Sequence, residues 1–274
     1  MIGQTNLIKQ IDRLFDTDTF PHFCIIAGNG SREMVATYIC NRRMQYAKYK
    51  LPDIKIETVR SMIEDAYTTK DEMFIIIPDA DTMSVNAKNA LLKVVEEPPK
   101  NVYIIMLLSD INNTLDTIKS RAFIFTMERY TLAELKEYVE SKYDIIAEDA
   151  KNLIVAICET PDEIDILANT NVLDFYDFVE LVVDNISEVE PANAFKSGGK
   201  IGLKNDEGYD LKLFWSMFSF ICMQHYTETG NKKFLNGILL TSRYIKMLRK
   251  LGINKQQLYD LWVFDIREIW YDYQ

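Results

Sequence analysis

The chain of 274 residues contains no apolar run near the roughly 20 residues that a membrane-spanning helix needs. The residues after Met1 are polar (Gly3 to Asn6), so the apolar centre of a signal peptide is missing as well. We therefore expect a soluble, cytoplasmic protein that has no membrane partner.

Histidine and cysteine are both scarce. Only His22 and His225 are present, which nearly excludes chemistry built on a histidine cluster, although it leaves a single catalytic histidine open. The four cysteines lie far apart and form no C-x-x-C pair. We expect buried thiols, no disulfide, no metal site and no bound cofactor. The cysteines are Cys24, Cys40, Cys158 and Cys222.

The net charge of -10 is unevenly distributed along the chain. Residues 143–190 carry thirteen acidic side chains against one lysine, whereas residues 32–60 carry seven basic against three acidic ones and residues 195–255 eleven against four. Such segregation indicates domains with different faces and places partner subunits or DNA near the basic parts, although clustered solvated helix faces explain it equally well. The acidic total argues against a general-purpose DNA-binding protein.

Two patterns divide the chain. Up to about residue 128, apolar runs without polar alternation are separated by helical segments, which predicts a parallel sheet covered on both faces and thus an α/β core. The predicted strands are 23–27, 73–77, 102–108 and 123–125, and the predicted helices are 32–43, 84–97 and 113–120.

After Tyr130 the pattern is helical throughout. Thr131 and Glu134 form a capping-box pattern, and Leu132, Leu135 and Val139 recur at helical spacing. From residue 210 onward the helices are strongly apolar, so this half is predicted to be all α. We expect its large aromatic residues to pack between helices: Trp215, Phe218, Phe220, Tyr226, Trp262 and Trp270.

A glycine-containing loop follows the first predicted strand and precedes a helix, which is the setting of a phosphate-binding loop. The active form is G-x-x-x-x-G-K-[ST]. With Gly30 as the second glycine, Ile25 stands at the first glycine, Ser31 at the lysine and Arg32 at the hydroxyl residue that holds Mg²⁺. Gly28 and Gly30 therefore predict the loop architecture without nucleotide hydrolysis. Unusual nucleotide binding through Arg32 stays open.

The acidic site expected after the predicted strand 73–77 is incomplete as well. In an active enzyme, an acidic pair after this strand holds magnesium and polarises the attacking water. Here Pro78 replaces the aspartate of that pair, and Asp79 stands in place of the glutamate, whose side chain is one methylene longer. A lone aspartate after a strand is more often a turn or cap residue, so both losses indicate a chain without its own hydrolytic activity.

Four segments together carry a family resemblance: residues 78–83 (PDADTM), 86–99 (NAKNALLKVVEEPP), 109–110 (SD) and 117–121 (TIKSR). In order and spacing they resemble the clamp-loader branch of the AAA+ ATPases, and within it the delta-prime subunits of bacterial DNA polymerase III. The resemblance covers about residues 1–128, and the helical half matches in layout only.

The resemblance implies an AAA+ core at residues 1–128, a small helical lid at 129–178 and a helical collar at 179–274 that closes a five-membered ring. It implies a subunit that typically cannot hydrolyse ATP and acts within the DNA polymerase III holoenzyme in DNA replication. The implied partners are an ATPase motor subunit and a clamp-opening subunit, with the sliding clamp and primer-template DNA reached through the complex.

The family's Ser-Arg-Cys motif appears here as Ser120-Arg121-Ala122, which keeps the arginine. The resemblance implies that Arg121, beside Ser120, is an arginine finger that acts on nucleotide bound by a neighbouring subunit. The alternative is a surface arginine paired with an acid. Many relatives also carry a four-cysteine zinc module after the first helix, and the segment that follows Cys40 has no counterpart of it.

Two other functions compete with this interpretation. An active AAA+ ATPase is disfavoured by the missing lysine and magnesium ligands. A stand-alone DNA-binding module would use four basic residues near a helix end, but it lacks base-reading aromatic residues and a recognition helix. The basic residues are Arg42, Arg43, Lys48 and Lys50.

Overall fold

A computed structural model describes residues 3–43, 46–186, 200–202, 208–248 and 253–271. The chain divides into two compact units, residues 1–134 and 135–274. Within these described residues the first unit is α/β and the second is built of helices, as the sequence predicts.

The first unit contains a parallel sheet with strand order β2-β3-β4-β1-β5. The apolar runs predicted as strands are four of its members, and the interior strands β1, β3 and β4 are almost wholly buried. The strands are β1 (Phe23–Ala27), β2 (Ala47–Lys50), β3 (Met73–Ile77), β4 (Val102–Leu108) and β5 (Phe123–Thr126).

Helices cover both faces of this sheet and bury two separate apolar clusters. On one face, Ile25, Ile75 and Ile104 pack against α3, α4 and α5. On the other face, strand residues such as Ile26 and Phe74 pack against α1 and α2. Alternate side chains of each strand therefore enter different cores, which explains the absence of polar alternation. The helices are α1 (Thr5–Asp16), α2 (Arg32–Asn41), α3 (Ile56–Thr68), α4 (Val85–Glu96) and α5 (Asp116–Lys119).

Local signals place some of these elements correctly and miss others. Ser84 caps α4 as predicted, since its hydroxyl accepts a hydrogen bond from the Ala87 N–H at 3.1 Å. The helix predicted over 113–120 is wrong in extent, because the structure has a 3-10 turn at Ile111–Asn113 followed by the short α5. Strand β2 is absent from the sequence prediction because all four of its residues are exposed at the sheet edge, so it carries no apolar pattern.

In the residues that the structure describes, the second unit contains helices α6 to α12, of which α6 begins at the end of the first unit. The predicted capping box is present: the Thr131 N–H donates to Glu134 Oε2 at 2.8 Å. Leu135 and Val139 are buried, but Leu132 is 69% exposed. The prediction that all three apolar residues of α6 are buried is therefore wrong for the first turn, because helical spacing does not show how far the covering helices extend. The helices are α6 (Leu132–Lys142), α7 (Glu148–Ile157), α8 (Pro161–Ala168), α9 (Val172–Asn185), α10 (Leu211–Thr229), α11 (Lys232–Leu248) and α12 (Lys255–Tyr271).

The predicted aromatic core lies between α10, α11 and α12. Trp215, Phe218, Trp262 and Trp270 are fully buried, and Phe218 meets Trp262 edge to face at 4.9 Å between ring centroids. The other two aromatic residues that we expected here, at positions 220 and 226, are only half-buried.

Two further observations concern the whole chain. Helix α9 runs through residues 178 and 179, where a lid would meet a collar, and this division of the helical half stays a prediction. Across the described residues, every helix is too short or too polar to cross a bilayer.

Candidate functional site

The loop between β1 and α2 has a backbone that only glycine adopts readily. Gly28 has φ +125° and Gly30 has φ +117°. The Gly28 N–H continues the sheet pattern by donating to the Leu108 carbonyl at 3.0 Å. The loop therefore has the strand-to-helix setting that the sequence predicts.

The chain's own side chains pack closely against this loop. A Cβ added at Gly28 would lie 2.9 Å from Met127 Cβ, and one at Gly30 would lie 2.8 Å from Tyr130 Cε2. In an active phosphate loop, glycine lets the backbone approach a ligand. Here the glycines also let the segment after β5 approach the loop.

Ser31 and Arg32 stand where the catalytic lysine and the magnesium-binding hydroxyl would be. Ser31 is buried at the start of α2. The Arg32 guanidinium turns back over the loop, and its Nη1 donates to the Gly28 carbonyl at 2.6 Å. The side chain at the hydroxyl position therefore binds the loop's own backbone and is a cation that cannot coordinate Mg²⁺.

Asp79 follows β3 in the left-handed region, with φ 44°. Its carbonyl accepts hydrogen bonds from the N–H and the hydroxyl of Thr82, each at 3.0 Å, and the residue is exposed. This geometry is that of a turn residue, which was the alternative interpretation of Asp79.

A buried polar cluster adjoins this turn, and its role was not predictable from the sequence pattern. Asp81 is 7% exposed, and its carboxylate accepts from the Ser109 N–H at 2.7 Å, the Ser109 hydroxyl at 2.9 Å, Asn113 Nδ2 at 3.0 Å and the Asp110 N–H at 3.2 Å. Burial alone would raise the pKa of Asp81, but these donors outweigh burial and lower it. The cluster ties the ends of β3 and β4 together.

Lys88 completes the cluster from α4. It is 4% exposed, and its Nζ donates to the backbone carbonyls of Asp81 and Asn113. Burial lowers the pKa of this lysine. The available sequence signal was its spacing, because Lys88 shares a helix face with the buried residues Leu91 and Val95.

Arg121 lies just after α5, and both arms of its guanidinium have partners within the chain. Nη2 lies 2.5 Å from Glu96 Oε1, and Nη1 donates to the Thr117 carbonyl at 2.7 Å and to the Ser120 hydroxyl at 3.3 Å. The Arg121 side chain is 36% exposed and that of Glu96 47%. The arginine therefore forms a surface ion pair, which is the contact that the alternative interpretation required.

The predicted site residues lie at two different ends of the strands. Gly28 and Asp79 follow the carboxyl ends of β1 and β3, whereas Arg121 precedes the amino end of β5. Because all the strands are parallel, the carboxyl ends of β1 and β3 and the amino end of β5 lie at opposite ends of the sheet. The structure thus separates Arg121 from the loop of its own chain.

The four basic residues of the DNA-binding alternative each have a local side-chain partner. Three form ion pairs with acids, and the fourth binds an amide. The contacts are Arg42 with Asp16 at 2.9 Å, Arg43 with Asp18 at 2.6 Å, Lys50 with Glu33 at 2.6 Å, and Lys48 with Asn41. Local charge pairing accounts for this basic stretch.

The cysteines are all buried and unbridged. Burial raises the pKa of the Cys40 thiol to about 11 and those of the other three thiols further, which makes them poor nucleophiles. In the part of the chain that the structure describes, no group of three or more His, Cys, Asp or Glu side chains is arranged to hold a metal ion.

Comparison with known proteins gives a family match and several related sequences. Residues 13–131 match the family described as DNA polymerase III, delta subunit. Replication factor C subunit 3 of Schizosaccharomyces pombe is 23% identical over 57% of this chain and 51% of its own length. DNA polymerase III subunit delta' of Yersinia pestis is 33% identical over 26% of this chain and 22% of its own. The chain thus spans about half the length of the first relative and less of the second.

A solved structure shows the same fold over nearly the whole chain. It is a DNA polymerase III gamma subunit-related protein of Thermotoga maritima, with a TM-score of 0.54 and 15% identity, and the match covers 94% of this chain and 99% of that one. This structure supports the predicted fold, and the family match and the two relatives agree with the resemblance seen in the sequence. On these findings the chain is similar to clamp-loader subunits, including the delta' subunit, within residues 13–131, and it shares the fold of a gamma subunit-related protein.

Proposed function

We propose that this chain is a non-hydrolysing, delta-prime-like subunit of a cytoplasmic DNA clamp loader. It scaffolds the ring and presents Arg121 to nucleotide bound by a neighbouring motor subunit while the sliding clamp is loaded onto primer-template DNA. The observation that carries this proposal is that Arg121 and the glycine loop after β1 lie at opposite strand ends of one parallel sheet. An arginine in that position can serve nucleotide only outside its own chain.

The loop chemistry supports the non-hydrolysing part of the proposal. Phosphoryl transfer depends on fixed cations that neutralise charge as the γ-phosphate leaves. The lysine position holds the buried Ser31, and Arg32 is bound to the Gly28 carbonyl. The turn residue Asp79 is exposed and has no acidic neighbour at position 78 to share a magnesium ion.

We expect the isolated chain to show no ATPase activity above background. The measurement is phosphate release by the purified protein with Mg-ATP, and a motor subunit with an intact phosphate loop serves as the positive control. Turnover that disappears in Arg32→Ala would contradict the proposal.

The collar part of the proposal rests on exposed apolar side chains of α12. Leu261, Phe264 and Tyr271 are 55%, 65% and 68% exposed and lie along one side of the helix at spacings of three and seven residues. Large apolar side chains grouped in this way are typical of surfaces that a protein partner covers. We infer that other clamp-loader subunits, namely motor and clamp-opening subunits, contact this face.

The role of Arg121 follows from the geometry of its side chain. A guanidinium is a planar, permanently charged fork that can bridge two phosphate oxygens, and an arginine supplied to a neighbouring site is worth about 10³ to 10⁵ in rate. A surface ion pair, by contrast, is worth about 0 to 1 kcal/mol of stability and nothing in a neighbour's rate. The two interpretations therefore predict different results for the same substitution.

We expect Arg121→Ala to leave folding and assembly intact and to lower ATP hydrolysis at the neighbouring site by about 10³-fold or more. Arg121→Lys should restore little, because an ammonium group lacks the fork. The measurement is the DNA-stimulated ATPase of the reconstituted complex, with Arg60→Ala, an exposed arginine on α3, as the control. An unchanged rate in the alanine variant would make Arg121 an ordinary surface residue.

A further inference from the structure

The two terminal nitrogens of the Arg121 guanidinium contact partners of different charge. Nη1 is held by two neutral oxygens, the Thr117 carbonyl and the Ser120 hydroxyl, which lie within four residues of it in sequence. Nη2 is held by the carboxylate of Glu96, which belongs to a different helix. Among the residues that the structure describes, only Glu96 offers the guanidinium an anion, the same kind of ligand that a phosphate would offer.

The position of Glu96 makes this contact informative. Glu96 is the last residue of α4, where the unpaired carbonyls give the helix end a partial negative charge. An acidic side chain is electrostatically unfavourable there, so helix stability does not explain its presence. The Arg121 guanidinium supplies the compensating charge, which links the two residues as a pair.

We infer that Glu96 is a positioning residue for Arg121: it is the resting counter-ion that the arginine must leave when it binds nucleotide on a neighbouring subunit. The inference rests on the proposed function of Arg121. Three of the five guanidinium N–H groups are used in the isolated chain, and the Glu96 carboxylate holds Nη2 against the end of α4. To reach a phosphate on another subunit, the side chain must therefore swing outward and Nη2 must leave Glu96. Nucleotide binding then exchanges one anion for another.

The exposure of the pair determines the size of the effect. Both side chains are more than a third exposed, so water can solvate the Glu96 carboxylate once the arginine leaves. An exposed ion pair competes only weakly, which corresponds to about a two- to fivefold change in apparent affinity. The exchange is thus reversible and tunes the response to nucleotide without blocking it.

The test is Glu96→Gln in the reconstituted clamp loader with its motor subunits, the clamp and primer-template DNA. Glutamine keeps the shape and removes the competing charge. We expect the KM for ATP to fall about two- to fivefold with kcat unchanged, because the contacts of the docked arginine are the same once it is docked. Glu97→Gln removes the same charge from the adjacent exposed position and should leave KM unchanged.

A double-mutant cycle separates this inference from the proposed function. In the Arg121→Ala background, Glu96→Gln should change nothing, since the competing contact is already gone. If Arg121→Ala lowers the neighbour's ATPase but Glu96→Gln behaves like the Glu97 control, only the Glu96 inference is wrong. If Glu96→Gln raises KM, the carboxylate holds the arginine ready for docking and the inference is likewise overturned. If Arg121→Ala has no effect, the proposed function itself fails.

Discussion

Two aspartates two residues apart show how burial decides the role of a side chain. Asp79 is exposed in a left-handed turn and contributes its carbonyl to local hydrogen bonds. Asp81 is buried and accepts four hydrogen bonds from the segment that follows β4. Asp81 therefore holds two strand ends together, while Asp79 shapes the turn between them.

We expect Asp81→Asn to lower the free energy of unfolding by about 1–3 kcal/mol, because an amide cannot accept from all the donors that the carboxylate satisfies. The pKa of Asp81 is lowered in the folded state, so its stabilising effect is present above the unfolded pKa, about 3.9, and is lost as the pH falls through the folded value. Urea unfolding at pH 7 and in acid measures both effects.

The matched control is Asp79→Asn, which keeps a residue that tolerates the left-handed region and should change stability by less than about 0.5 kcal/mol. Equal effects of the two substitutions, or a difference that grows as the pH falls, would contradict the role assigned to Asp81.

At the scale of the element, close packing between α11 and α12 depends on one glycine. A Cβ added at Gly237 would lie 2.5 Å from Trp270 Cη2 and 2.6 Å from Cζ3. Trp270 is 1% exposed and contacts Phe234 edge to face at 5.8 Å, so its ring has little room to move. The tryptophan fits because the facing helix has no side chain at this position.

We expect Gly237→Ala to destabilise the protein by about 1–2 kcal/mol, although replacing glycine by alanine inside a helix normally stabilises it. The physical reason is overlap with the Trp270 ring, and the measurement is the shift in the denaturant midpoint. Arg243→Ala, at an exposed position of the same helix, should change it little. A more stable Gly237→Ala variant would show that the ring moves freely.

At the scale of the whole molecule, the first unit contains its own cores. Both of its apolar clusters are built from residues between Leu7 and Met127, on the two faces of one sheet. A unit with a complete core of this kind is expected to fold as a domain.

We therefore expect a fragment of residues 1–134 to fold by itself. It should unfold cooperatively in urea and should protect the thiols of Cys24 and Cys40, which are buried within it, from a thiol reagent. Both thiols should react once the fragment is unfolded in denaturant, which provides the control. Immediate reaction of both thiols in buffer would show that this unit needs the rest of the chain.

The sequence by itself determined the class of the fold and supplied the prediction that the chain lacks the catalytic side chains of the phosphate motif. Strands 23–27, 73–77 and 102–108 were predictable because a strand buried on both faces must be apolar at every position. The helix start at Ser84 was predictable because capping is a contact over three residues. Ser31 and Arg32 could be judged by position alone, since the phosphate motif lies in one short segment.

Only the tertiary structure decided the contacts between residues that are distant in sequence. The exposed edge strand β2 has no apolar pattern, and its pairing with β3 defines it. The donors that surround Asp81 lie 28 or more residues away, and Glu96 lies 25 residues before Arg121. Periodicity shows which face of a helix is apolar, but it does not show which element will cover that face. The partners of Asp81 are therefore set by the order of the strands, which places the carboxyl ends of β3 and β4 side by side. The partner of Arg121 is set by the packing of α4 against α5.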